Sequence, residues 1–144
     1  MITRDYLMRM VQQLAGVLAR ILRAKEQEQY DQAMQEAEKA YGELFGMEAN
    51  LLRALDAATL AQFLGHREKI KACAALFREE GELHRLKGET DQAGAKFRRA
   101  LELFLEALNF DEQDDAECRQ AIKALTAVVD SERLSERYLE ILQA

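Results

Sequence analysis

The side chains of this chain that could carry chemistry are few and scattered. His84 has Glu80 four residues before it, near enough along a helix to approach it. It lacks the Glu-x-x-His spacing that sets two metal ligands on one face, because Gly81 stands three residues before it. His66 has Phe63 at the same offset. Zinc and iron sites need three or four ligands, so neither histidine is expected to be one, packing is the expected role of His84, and no metal or cofactor is expected. Cys73 and Cys118 form no Cys-x-x-Cys pair. Each falls on an apolar helical stripe, where a free thiol acts as a small hydrophobe, and neither has a recognisable base. The cluster Asp111, Glu112, Asp114, Asp115 and Glu117 lacks the central glycine and ligand spacing of a calcium loop, and acids at a helix start suit the helix dipole. No nucleophile elbow, P-loop or dinucleotide glycine pattern occurs, so no catalytic residue is assigned.

Those residues sit in a sequence built for helices. Among 144 residues there is no proline, and Ala, Leu, Glu, Arg and Gln abound. That length fits one domain with a sizeable core. The net charge of −6 argues against attraction to nucleic acid over the whole surface. It is unevenly placed: residues 1–25 hold Arg4, Arg9, Arg20, Arg23 and Lys25 against Asp5 alone. No convincing signal peptide and no apolar run of membrane-spanning length are present, and a cytoplasmic location is expected.

Periodicity predicts a first helix from Thr3 to Lys25, with Leu7, Met10, Leu14, Val17 and Ile21 recurring at spacings of three and four. Val11, Leu18 and Leu22 widen that stripe, which makes it a candidate self-association surface for a homodimer. Its flanking basic residues would also suit an anionic membrane surface, although docking within the fold or across a dimer is the preferred reading. A second helix from Tyr30 to Phe45 carries Ala33, Ala37 and Ala40 on one face and stops at Gly46. Two short helices fill 47–65, the second from Ala57 to Leu64 capped by Asp56. A third main helix spans His66–Leu86 and a fourth Thr90–Leu108, joined at Gly88. A fifth begins near Asp111, and a sixth is capped by Ser131.

Within 77–100, Phe77, Gly81, Gly88, Ala93, Phe97 and Ala100 fall at offsets that let two antiparallel helices pack closely. This pattern resembles one tetratricopeptide repeat (TPR), the helix-turn-helix unit that stacks into protein-binding grooves. An earlier window, Leu14–Met47, matches in Tyr30, Ala33, Ala37 and Ala40 but has Ile21 where a small residue is usual, and it lies 60 rather than 34 residues away. The phrase Met1-x-x-Arg4-Asp5-Tyr6-Leu7-Met8-Arg9-Met10, with the Tyr30/Ala33 hairpin, is similar to the start of a small uncharacterised bacterial family of TPR-like all-helical proteins.

The resemblance implies an all-α domain of TPR-like hairpins stacked as a right-handed array of about six main helices. Its parts would be an N-terminal hairpin (1–46), short helices (47–65), a TPR-like hairpin (66–110) and a C-terminal capping hairpin (111–144). It implies a non-enzymatic protein-interaction or scaffold module, with Arg78, Glu79, Glu82, Arg85 and Leu86 on the concave side facing a protein or peptide partner. Glu79 stands where repeats that grip a C-terminal carboxylate carry Asn, so that mode of capture is not implied. The competing expectation is a small-ligand sensor or enzyme with an internal cavity near His84 and Cys73.

Overall fold

The computed structural model describes residues 3–144, and every regular element among them is helical. Met1, which opens the N-terminal phrase, lies outside the described residues. There are eight α-helices rather than about six: α1 (Arg4–Glu26), α2 (Tyr30–Phe45), α3 (Ala49–Ala54), α4 (Ala57–Leu64), α5 (Arg67–Leu86), α6 (Thr90–Leu108), α7 (Ala116–Thr126) and α8 (Glu136–Gln143). The two beyond the six main ones, α3 and α4, are the short helices expected in the 47–65 segment, and a short 3₁₀ turn at Ser131–Arg133 precedes α8.

Local chemistry sets most boundaries. The Thr3 hydroxyl accepts from the Tyr6 N–H and starts α1, and Asp56 accepts from the Thr59 N–H and starts α4. His66 is itself a cap, its Nδ1 accepting from the Glu68 N–H, so α5 begins one residue later than expected. At Gly88 the backbone turns with φ 78°, a left-handed conformation that glycine adopts without a Cβ penalty, and this lets α6 fold back along α5.

Two expected starts move. The fifth main helix begins at Ala116, not near Asp111, because the Asp115 side chain caps it through the Cys118 N–H. The acids before it pair with cations of α5. Arg67 meets Asp111 and donates to the Gln113 carbonyl at 2.7 Å, and Lys71 lies 3.0 Å from Asp115 and 3.2 Å from Glu117. Burial pushes the Asp115 carboxyl up, but the Cys118 N–H and the Lys71 ammonium outweigh it and hold the group below the usual carboxylate range. Asp111 and Asp115 therefore strap the α6–α7 connection back to α5, while Asp114 pairs with Arg119 of α7. The last helix starts at Glu136 after Ser135, because Asp130 rather than Ser131 caps the chain there and produces only the 3₁₀ turn.

One connected core runs through the molecule, with Ile21, Tyr41, Leu52, Leu60, Ile70, Phe77 and Leu101 among its fully buried members. The pairs α1–α2 and α5–α6 form antiparallel hairpins, and α2 and α1 both pack on α5. Helix α3 covers α2, α4 lies on α6 and α5, and α7 and α8 close the far side of α6. The notch read from the sequence is present: a Cβ placed on Gly81 would lie 2.7 Å from the Phe97 ring, and Ala93 and Ala100 are buried on the facing helix.

Much of the apolar stripe of α1 is covered by the chain's own core. Met10, Val17 and Ile21 are buried, while Leu7 and Leu14 are half-buried against the core. The buried part of the stripe holds α1 on α2 and α5, because a face this broad meets two neighbours at once. What α1 leaves exposed is Tyr6, Met8, Val11 and Leu22.

Candidate functional site

Helices α1, α5 and α7 leave a furrow between them, with α5 as its floor. Two clefts occupy it. One, of ≈ 470 Å³, has Val11, Leu14 and Leu18 of α1 on one wall and Ala121 and Ala124 of α7 on the other, over Ala72 and Ala75 of α5. The second, of ≈ 540 Å³, continues toward the far end of α5, where Lys25, Glu79, Glu82 and Arg85 meet Phe97, Leu125 and Val128. Arg78 and Ala124 line both.

The sequence periodicity explains why α5 can serve as this floor. Its residues Phe77, Glu80, Gly81 and Leu83 are buried against the rest of the bundle, which turns Arg78, Glu79 and Glu82 to the opposite side. Four of the five residues placed on the concave face, Arg78, Glu79, Glu82 and Arg85, line the second cleft together; Leu86, at the end of α5, does not. Their charges are largely matched. Lys25 of α1 reaches Glu79 at 3.0 Å, which fixes one wall of the furrow to its floor. Arg85 clasps Glu82 through two nitrogens at 2.9 and 2.5 Å, and this holds the Glu82 carboxyl below its ordinary range.

Arg78 differs. Among the described residues no carboxylate pairs with it. Its guanidinium rests over the Phe104 ring, 5.3 Å from the centroid, so the side chain is held by stacking and its hydrogen-bonding edge is left for something else. On a chain of net charge −6, the point where the two clefts meet thus carries one unmatched positive charge amid apolar walls.

The residues considered for chemistry do not assemble. His84 Nδ1 sits 3.0 Å from Glu89 of the α5–α6 turn, not against Glu80. Cys73 is fully buried and burial raises its thiol far above the ordinary range; Cys118 is pushed up to about 11 by burial and donates to the Phe104 carbonyl at 3.0 Å. Neither His84 nor Cys73 lines the two clefts of the furrow. Among the described residues no group of three or more His, Cys, Asp or Glu could hold a metal ion, and no helix is long and apolar enough to cross a membrane.

Sequence reasoning missed the second wall and a buried network behind the floor. Ala121, Ala124 and Val128 recur at spacings of three and four, a small-residue signal that was available in the chain. The network surrounds Glu80, which is 1% exposed. The Tyr41 hydroxyl donates to it at 2.6 Å, Arg53 donates from the other side, and Lys96 lies 3.5 Å away. Helical periodicity puts Glu80, unlike Glu79, on the buried face of α5, but its partners come from positions 41, 53 and 96, which no local pattern brings together.

A family model matches residues 1–141; its description is a family of unknown function (DUF6483). No curated protein and no solved structure matches the chain.

Proposed function

This chain belongs to the DUF6483 family, whose function is unknown, and from the furrow we propose that it is a non-enzymatic protein-interaction module. The reading treats α1–α2 and α5–α6 as two TPR-like hairpins, with α3 and α4 as an insertion between them and α7 and α8 as a cap packed on α6. The leading helix of each hairpin, α1 and α5, then faces the furrow, and α7 supplies its other wall. The Gly81–Phe97 notch supports this, because close approach of α5 and α6 is what such stacking requires.

The observation that carries the proposal is the junction at Arg78. A binding face needs apolar surface that is not consumed by the core and a polar group that sets orientation. The walls supply the first through Val11, Leu18, Ala124 and Val128. Arg78 supplies the second. The occupant that fits is a segment of another protein with apolar side chains for the two clefts and a carboxylate to meet the guanidinium. Arginine is enriched at the energetic centres of interfaces for this reason.

The test is a pull-down from native cell extract using wild type, Arg78→Glu and, as a control of equal charge change outside the furrow, Lys123→Glu. Wild type and Lys123→Glu are expected to recover the same partner, and Arg78→Glu to lose at least about tenfold of it, as expected for reversing a central charge. Equal recovery by all three proteins would overturn the reading.

A further inference from the structure

A second polar cleft lies on the side of α5 that carries Phe77, away from Arg78, and rests on observations independent of the furrow. It measures ≈ 320 Å³ and gathers Arg53, Lys96, Arg98 and Arg99 around the Phe77 ring, with Asp56 and Glu102 as its carboxylates. Four cations in so small a space are unexpected on a chain of net charge −6.

Nearby acceptors engage some of these donors and leave others: Arg53 pairs with Glu80 and lies 3.4 Å from Glu38, and Arg99 donates to the Leu55 carbonyl. Asp56 is engaged at the start of α4 by the Thr59 N–H. Glu102 lies 3.5 Å from Arg99, and burial raises its carboxyl. Lys96 comes no closer than 3.5 Å to Glu80. Arg98 has no ion-pair partner among the described residues, and the Arg53 Nε is buried without a hydrogen-bond acceptor. Lys96 and Arg99 both lie over the Phe77 ring, at 5.2 and 5.9 Å from its centroid. Burial depresses the Lys96 ammonium, and the nearby Arg53 and Arg99 charges add to that in spite of Glu80. Such a site gains by taking in negative charge.

We propose that this cleft binds a small phosphate-bearing anion, held by Lys96, Arg98 and Arg99 above the Phe77 ring. A tetrahedral dianion offers acceptor oxygens in several directions, which matches donors arriving from separate side chains. A planar carboxylate satisfies one guanidinium edge at a time. The cleft is at the small end of ligand pockets, which favours free phosphate or a short phosphate monoester over a larger cofactor.

NMR titration of the full chain at low ionic strength, following the arginine Nε–H signals and the amides of 96–99, tests this with inorganic phosphate, glycerol 3-phosphate and acetate as probes. Saturable shifts confined to Arg53, Lys96, Arg98 and Arg99 are expected with both phosphates, and none with acetate. The tighter of the two phosphates identifies the free ion or the monoester as the better ligand. Arg98→Gln is expected to weaken binding roughly tenfold with an unchanged melting temperature, since Arg98 makes no hydrogen bond or ion pair among the described residues. Shifts scattered over surface cations, an equal response to acetate, or an Arg98→Gln protein that titrates like wild type would overturn the proposal.

Discussion

Glu80→Ala is expected to lower the stability of the protein by about 3 kcal/mol, measured by urea unfolding. The carboxylate is almost fully buried, yet it accepts from the Tyr41 hydroxyl and faces Arg53 and Lys96. Removing it strands a buried phenol and two cations that share no other close carboxylate in the interior. Their side chains retain some contact with water, Arg53 at 26% and Lys96 at 19% exposure, so the loss falls at the lower end of the range for a broken buried pair. Tyr41→Phe removes one hydrogen bond and keeps the ring that packs on Phe77 at 5.6 Å, and is expected to cost about 1–2 kcal/mol. A loss under about 1 kcal/mol for Glu80→Ala would mean that the network is not what joins α2, α3, α5 and α6.

Gly81→Leu is the second large effect, expected at about 3 kcal/mol. A single added carbon at Gly81 would already stand 2.7 and 2.8 Å from the Phe97 ring, closer than van der Waals contact allows. Intrinsic helix propensity acts the other way, favouring a non-glycine residue by about 1 kcal/mol, so a loss of stability reports packing alone. The double-mutant cycle makes the cause explicit. In a Phe97→Ala background the same Gly81→Leu change is expected to cost about 1 kcal/mol or less, because the ring that it strikes has gone. Equal costs in the two backgrounds would show that α5 and α6 do not nest at this point.

The parts of this fold that were legible in the sequence are those fixed by local chemistry. Thr3, Asp56, Gly46, Gly65 and Gly88 mark helix ends because capping and left-handed turns depend on a few adjacent residues. The Gly81/Ala93/Ala100 notch was legible for the same reason, since the two helices are consecutive and joined by a short turn. The acids at 111–117 misled only about where α7 begins: Asp115 caps it, but Asp111 and Asp115 also pair with Arg67 and Lys71 some 44 residues earlier, and acids before a helix look the same whether they cap it or strap it. The α1 stripe was read correctly as a broad apolar face, but breadth alone does not say whether a second chain or the chain's own α5 will cover it. Half of the furrow was legible in the exposed face of α5. The other half, the α7 wall, was signalled only by the spacing of Ala121, Ala124 and Val128; that this face lies opposite α1 depends on how α7 docks on α6, which local sequence does not carry.

The claim that matters most is that the furrow between α1, α5 and α7 is the working face. Photo-crosslinking tests it directly, with a benzophenone amino acid placed at Ala124, which lines both clefts, or at Phe63, which is exposed on α4 outside them. In native cell extract the Ala124 probe is expected to capture one discrete partner, with capture abolished by Arg78→Glu and absent from the Phe63 probe. Capture of the same partner from Phe63, or capture from Ala124 that survives Arg78→Glu, would contradict it.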